Sequence, residues 1–149
     1  MNKKEIFYIN TDGGSRGNPG QSGAGAVILN DKNVVLKTGT RALGVMTNNE
    51  AEYQAVVFGL KLFKSALGKD KAQSVQIVLR IDSELVAKQL RGEYQIKEEK
   101  LFPLFIEIWN LRVKDFPNLE IVHVLRAQNS LADELANKAM DEQAQGRLI

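Results

Sequence analysis

The sequence predicts an α/β fold built on a mixed β-sheet. Three strand-like segments come first, and helix-like and strand-like segments then alternate up to a closing helix. The length of 149 residues is typical of one domain, so we expect a single domain over 1–149, with about 143–149 as a frayed tail. A chain of this length buries enough surface for a core that needs no disulfide or structural metal.

Each predicted element follows from a local pattern. Strands are indicated by β-branched and aromatic runs, and helices by apolar residues at spacings of three and four. A capping-box pattern at Thr47–Glu50 marks the start of the first long helix, and Pro103 fits the first turn of the third. The predicted strands are 6–12, 25–30, 34–41, 75–81 and 119–125. The predicted helices are 47–67, 83–90, 98–113 and 130–143, and a Gly-rich turn is expected over 13–25.

Composition limits the chemistry that the chain can perform. There is no Cys and one His, which excludes disulfides, thiol catalysis, Cys-ligated zinc and any site built on several His. The balance of 20 Lys+Arg against 18 Asp+Glu gives a net charge of +2, which excludes a strongly cationic binder but allows a local basic patch. No stretch resembles a signal peptide or a membrane span, so we expect a cytoplasmic protein without a membrane partner.

Four carboxylates occupy positions that are unfavourable for acids. Asp12 and Asp82 end two predicted strands, and Glu52 and Asp133 lie near helix starts on the faces that should pack inwards. Each has a structural explanation on its own, as a turn cap or as a first-turn acid that favours a helix. Together they indicate a shared cation, and carboxylates without His or Cys favour Mg²⁺ or Mn²⁺. Such sites support phosphoryl transfer with one or two metal ions.

Two polar segments adjoin these acids. Residues 13–20 are Gly-rich but match neither a Walker loop nor a dinucleotide fingerprint, because no Gly-Lys-Ser/Thr and no helix follows them. They fit either a flexible hairpin turn or a backbone that approaches a sugar–phosphate chain closely. The run Thr47–Asn49 likewise fits either a helix cap or contacts with phosphates and 2′-hydroxyls.

Four segments, in order along the chain, resemble type 1 ribonuclease H: TDGGSRGNPG at 11–20, TNNEAEYQA at 47–55, IDSELV at 81–86 and QNSLADELAN at 128–137. The resemblance implies the ribonuclease H-like fold, a five-stranded mixed sheet with three antiparallel strands first, then parallel strands, flanked by helices. It implies an endonuclease that hydrolyses the RNA strand of RNA–DNA hybrids, leaving 5′-phosphate and 3′-hydroxyl ends. It further implies two Mg²⁺ ions with substrate bound, Mn²⁺ as a substitute, no nucleotide cofactor and a monomer.

The matched motifs also carry the family's site residues to this chain. Asp12 would contact both ions, Asp133 the ion that activates water, and Glu52 and Asp82 the ion at the leaving 3′-oxygen. Thr47 would lie in a pocket for a phosphate of the DNA strand. The full set of implied substrate contacts is Gly14, Ser15, Gly17, Asn18, Thr47, Asn48, Asn49 and Ser83.

Three features depart from the family pattern. The loop before the last acid lacks the His of many bacterial members, and Arg126, which a subset of the family shares, is expected to have an auxiliary catalytic role there. The short segment 90–100 has no net charge and replaces the basic protrusion of longer members, which predicts weaker hybrid binding. Val45 stands where some relatives place an Arg on the DNA phosphate.

Three other functions are compatible with parts of the pattern. A related metal-dependent nuclease could act on DNA, but the Thr47–Asn49 run and the Gly-rich segment are those that relatives use for hybrids. A non-catalytic module that binds hybrids or a protein partner should have lost at least one acid, and all four are present. A domain that Mg²⁺ merely stabilises would melt in a metal-dependent way without cleaving nucleic acid.

Overall fold

The computed structural model describes residues 5–146. Its strands are β1 (Ile6–Gly17), β2 (Gly20–Leu29), β3 (Val35–Met46), β4 (Gln76–Ile81) and β5 (Leu119–His123). Its α-helices are α1 (Asn48–Leu67), α2 (Lys69–Ser74), α3 (Glu84–Leu90), α4 (Phe102–Asp115) and α5 (Ser130–Gly146). Short 3-10 turns at Glu99–Leu101 and Arg126–Asn129 lead into α4 and α5.

The strands form one five-stranded mixed sheet in the order β3-β2-β1-β4-β5. The pairs β1–β2 and β2–β3 are antiparallel, whereas β4 runs parallel to β1 and β5 runs parallel to β4. Parallel neighbours need long crossovers. The path from β1 to its parallel neighbour β4 runs through β2, β3, α1 and α2, and the path from β4 to β5 runs through α3 and α4. The predicted α/β class, with antiparallel strands first and parallel strands after them, is confirmed.

The helices cover the two faces of the sheet with separate apolar clusters. Alternate residues of β2 point to opposite faces: Ile28 belongs to the large cluster with α1, α3 and α4, whereas Val27 and Leu29 pack with Ala132 of α5. The α1 positions predicted to face inwards, from Tyr53 to Phe63, are buried. This arrangement puts the first turns of α1 and α5 against the middle of β1.

The Gly-rich segment is mostly strand and not turn, contrary to the sequence prediction. β1 continues five residues beyond the predicted end at Asp12, and β2 begins at Gly20, so the turn is confined to the residues between them. The glycines serve close packing of helices on the sheet. A Cβ on Gly25 would lie 2.3 Å from the Ala132 carbonyl oxygen of α5, and a Cβ on Gly13 would lie 2.1 Å from the Ala51 carbonyl oxygen of α1.

Several helix boundaries also differ from the predictions. The short helix α2 was not predicted; it is joined to α1 and α4 by the buried Asp115 carboxylate, which pairs with Lys64 at 2.6 Å and Lys69 at 3.8 Å. The closing helix continues beyond its predicted end at Gln143 to Gly146. The Gln143 side chain donates to the Ser22 carbonyl oxygen at 2.7 Å and so connects α5 to β2. Of the predicted frayed tail, residues 147–149 lie outside the described range. No helix within residues 5–146 is long and apolar enough to cross a membrane.

Candidate active site

The four predicted acids line one pocket of about 220 Å³. Asp12 comes from β1, Glu52 from the beginning of α1, Asp82 from the residue after β4, and Asp133 from the first turn of α5. The structure therefore brings together side chains that lie far apart in the sequence, from position 12 to position 133. The pocket lies where β4 ends, beside the central strand β1.

The sequence predicted Asp12 at the end of a strand, but Asp12 lies inside β1. The register explains why it still faces a cleft. The parallel ladder between β1 and β4 ends at the pair Thr11–Ile81, and β1 continues beyond it with β2 alone. One side of β1 is therefore left without a neighbouring strand from Asp12 onward, and a strand end in a parallel sheet is a common position for a ligand cleft.

The surroundings of Asp12 strongly disfavour the ionised form of its carboxyl group. Burial, followed by the charge of Asp82, a hydrogen bond with Asp133 and the charge of Glu52, raises the pKa of Asp12 to about 8. Each of these causes disfavours the ionised form: a low-dielectric surrounding penalises the charge, and neighbouring carboxylates repel it. A cation bound among these side chains would instead favour the ionised form of Asp12.

Glu52 is held in the same cleft by a mixed set of neighbours. Burial is the largest influence and raises the pKa of Glu52 to about 7, although the polar side chains of Ser83 and Asn48 and the charge of Arg126 oppose this rise. Oε1 accepts a hydrogen bond from Asn48 Nδ2 at 3.2 Å. Oε2 is buried and receives no hydrogen bond from any described residue. A buried oxygen of this kind is costly unless another partner binds it.

These observations fit a hard divalent cation as the missing partner. The donors are carboxylate oxygens, one of them orphaned, in a pocket where negative charges repel each other. Within residues 5–146, no group of three or more His, Asp or Glu side chains is arranged to hold a metal ion by itself. Mg²⁺ in proteins typically takes waters and substrate oxygens as ligands beside one or two carboxylates, so the acids need not surround an ion by themselves.

Asn48 links the Gly-rich hairpin to the acids. Its backbone N–H donates to Oδ1 of Asn18 at 3.1 Å, and its own Oδ1 accepts from the backbone N–H of Ser15 at 3.3 Å. Its Nδ2 donates to Glu52, as described above. Three of the predicted substrate-contact residues are thus joined in one network that ends at an acid of the pocket.

The remaining predicted contact residues have different surroundings. Gly14 lines the pocket, and Gly17, at φ +121°, occupies backbone space that favours glycine. Thr47 caps α1 in the predicted capping box. The Asn49 side chain donates to Glu98 Oε1 at 2.8 Å. Ser83 caps α3, where its hydroxyl accepts from the Val86 N–H at 3.2 Å, and its side chain also lowers the pKa of Glu52.

Two arginines line the pocket, one predicted and one missed. Arg126, the predicted auxiliary residue, lines it from the turn before α5 and lowers the pKa of Glu52. Arg16 lines it from β1 and pairs with Asp141 at 2.6 Å; it stands inside the Gly-rich motif, but that segment was interpreted through its glycines. Asn137 also lines the pocket, and its spacing of four from Asp133 on one helix could have revealed it.

Asn129 is a third polar residue that the sequence analysis did not identify. It is buried, its Nδ2 donates to the Thr11 carbonyl oxygen at 2.9 Å, and its Oδ1 has no partner among the described residues. The bond joins the turn before α5 to the strand residue that precedes Asp12. A buried Asn in a loop gives no hydrophobic pattern, so a sequence offers little signal for this contact.

Comparison with known proteins identifies the family. A family model described as "Reverse transcriptase-like" matches residues 10–139. LC11-RNase H1, isolated from compost by a metagenomic approach, is 39% identical, with a TM-score of 0.88 over 93% of this chain and 98% of that one. The same protein has been solved in complex with an RNA/DNA hybrid. RNase H1 from the halophilic archaeon Halobacterium salinarum is 36% identical, with a TM-score of 0.83 over 92% of this chain and 98% of that one.

A longer relative shows the same domain as part of a larger protein. The bifunctional protein Rv2228c of Mycobacterium tuberculosis is 38% identical over 138 residues, which is 92% of this chain and 36% of that protein. This chain thus spans about a third of the length of that relative. Fold and site together define the ribonuclease H-like class. The chain belongs to the reverse transcriptase-like family and, within it, to the type 1 ribonucleases H.

Proposed function

We propose that this chain hydrolyses the RNA strand of RNA–DNA hybrids, leaving 5′-phosphate and 3′-hydroxyl ends. The observation that carries the proposal is the convergence of Asp12, Glu52, Asp82 and Asp133 on one pocket, where burial and mutual repulsion raise the pKa of Asp12 to about 8. The structure of LC11-RNase H1 with an RNA/DNA hybrid supports the choice of substrate.

The four acids would hold two divalent ions, either Mg²⁺ or Mn²⁺. When bound, such ions supply an activated water and stabilise charge on the leaving oxygen. Asp12 is the residue best placed to serve both ions, because the charges or hydrogen bonds of all three other acids act on it. Asp133 would serve the water-activating side, and Glu52 and Asp82 the side of the leaving 3′-oxygen. The carboxylates form no covalent intermediate.

The residues around the acids would position the substrate. The polar network of Ser15, Asn18 and Asn48 lies beside the pocket and presents backbone and amide groups of the kind that meet sugars and phosphates. Gly14 and Gly17 allow the backbone of the hairpin to approach the substrate closely.

The further contacts belong to other elements. Thr47 would bind a phosphate of the DNA strand at the start of α1, and Asn49 and Ser83 would contact sugars or phosphates. Shape and 2′-hydroxyls, and not base edges, would distinguish hybrid from DNA. Arg126, which acts on Glu52 through its charge, would assist turnover.

We also propose that one chain is sufficient for activity, because a single chain supplies all four acids. No nucleotide cofactor is needed for this hydrolysis. We expect the protein to act in the cytoplasm.

Strand-labelled substrates test the proposal. The protein is incubated with an RNA–DNA hybrid in Mg²⁺, in Mn²⁺ and in a chelator, beside duplex DNA and duplex RNA of the same sequence. We expect metal-dependent cuts in the RNA strand of the hybrid, with 5′-phosphate ends at the new termini. Equal cleavage of duplex DNA would indicate a different nuclease, and an intact hybrid with every metal would show a binding module.

A further inference from the structure

An acid outside the catalytic pocket holds the Asn49 side chain. Asn49 Nδ2 donates to Oε1 of Glu98 at 2.8 Å, a contact between residues that are 49 positions apart. Glu98 lies in the short segment 90–100, directly before the 3-10 turn that leads into α4, and its carbonyl oxygen accepts from the Leu101 N–H at 3.0 Å. Leu101 is completely buried, so the acid projects from an anchored backbone.

The chemistry of a carboxylate decides which end of the Asn49 amide turns toward it. An ionised carboxylate only accepts hydrogen bonds, so it attracts the nitrogen of the amide, which carries both N–H groups. The carbonyl oxygen of Asn49 is thereby left for another partner. Asn48 shows the same arrangement one residue earlier, with Nδ2 bound to Glu52 and Oδ1 accepting from Ser15.

We propose that Glu98 is a positioning residue that sets substrate specificity by fixing the Asn49 amide with its carbonyl oxygen toward the nucleic acid. The inference rests on the proposed function. A carbonyl oxygen accepts a hydrogen bond from a ribose 2′-hydroxyl, whereas a phosphodiester oxygen has no proton to donate. Asn49 therefore recognises the sugar of an RNA strand and not the charge of a backbone, and it does so because Glu98 holds it.

The same carboxylate places a negative charge beside a surface that binds a polyanion. Removing that charge should strengthen hybrid binding at low salt, whatever happens to Asn49. The effect of charge on binding can therefore be separated from the effect of Asn49 orientation by comparing two substitutions that change the net charge equally, one at Glu98 and one at a neighbouring acid. Glu99 offers the comparison, because it is exposed and adjacent but is not the residue bonded to Asn49.

The test measures single-turnover cleavage and KM for the wild type, N49A, E98K, E98Q and E99K. The substrates are hybrids whose RNA strand carries one 2′-deoxynucleotide, moved through every position in turn. In the wild type, we expect at least one position where the deoxy substitution slows cleavage by about 2–10-fold, the effect of one lost hydrogen bond. N49A should abolish that position-specific penalty.

The lysine in E98K can only donate hydrogen bonds, so it turns the Asn49 oxygen inwards. E98K should lower KM yet lose the position-specific penalty. The glutamine in E98Q can still accept a hydrogen bond, so E98Q should keep the position-specific penalty. E99K should lower KM and also keep the penalty.

The inference would be overturned if E98K and E99K showed the same penalty at every position of the deoxynucleotide. It would also be overturned if N49A kept the penalty at every position. A wild type that leaves all hybrids uncut would overturn the proposed function first. Thermal unfolding of each variant shows whether a change in the scan reflects loss of the fold.

Discussion

Asp12 and Asp82 directly follow Thr11 and Ile81, the last residues that pair in the parallel ladder between β1 and β4. Beyond that pair β1 continues with β2, whereas β4 ends and the chain turns into α3, which Ser83 caps. The two carboxylates therefore meet at one place from adjacent strands. After burial, the charge of Asp82 is the largest influence that raises the pKa of Asp12 to about 8. The register of the sheet thus produces a site that needs a cation.

The raised pKa values predict how stability depends on pH without metal. Between an ordinary carboxyl pKa near about 4 and a folded pKa of about 8, the folded protein holds a proton on Asp12 that the unfolded chain has released. The free energy of unfolding contributed by Asp12 therefore falls as the pH rises through this range, and Glu52, with a pKa of about 7, acts in the same direction.

D12N removes the larger of these two effects. In a chelator, it should be more stable than the wild type by about 1–3 kcal/mol near pH 9 and of similar stability near pH 4. Chemical denaturation across pH measures the difference, with D31N, a substitution of an exposed turn acid, as the control. Mg²⁺ at high pH should reduce the advantage of D12N, because a bound cation offsets the repulsion in the wild type. A difference that does not change with pH would contradict the electrostatic explanation.

We expect Arg126 to affect the rate and pH dependence of cleavage without being essential for it. Its charge lowers the pKa of Glu52, so R126A should raise that pKa further and shift the acidic limb of the pH–rate profile to higher pH. We expect turnover to fall by roughly tenfold, equivalent to about 1.4 kcal/mol, whereas loss of an acid should remove activity. R126K should keep most of the pH profile. Complete inactivity of a folded R126A would mean that the arginine contacts the reacting groups.

Gly13 should matter for both the fold and the metal site. A Cβ at this position would lie 2.1 Å from the carbonyl oxygen of Ala51, the residue before Glu52, so G13A must displace α1. We expect a loss of about 3 kcal/mol in the free energy of unfolding and weaker Mg²⁺ binding. G14A is the matched control for stability, because its Cβ would meet only Met140 Cε at an ordinary 3.5 Å. Equal unfolding free energies for the two variants would show that α1 does not rest on Gly13.

The sequence predicts the architecture well because its main signals are local. The order of strands and helices, the capping box at Thr47 and the inward face of α1 follow from apolar spacing and end signals, and the structure confirms them. The four acids stand out in the sequence for the same reason: a carboxylate at a predicted strand end or on an inward helix face conflicts with its local pattern, and such conflicts are frequent at functional sites.

The errors arise where tertiary contacts override local preference. Glycines usually indicate a turn, yet the segment 13–25 is mostly strand. Glycines occur in these strands because α1 and α5 pack too closely on them for larger side chains. The segment Lys69–Ser74 shows a weak helical pattern, and its place depends on the ion pairs that Asp115 makes with Lys64 and Lys69. The contact between Asn49 and Glu98 spans 49 positions, and no local pattern indicates it.

The most direct test of the account is to compare wild type and D12N in one experiment that measures both cleavage and binding of a labelled RNA–DNA hybrid in Mg²⁺. Asp12 is the acid on which the other three act, and an amide cannot replace its charge toward the two ions. We predict that D12N binds the hybrid at least as tightly as the wild type, because one repulsive charge is gone, and that it leaves the RNA strand uncut. Near-native cleavage by D12N would contradict the shared-metal site at its centre.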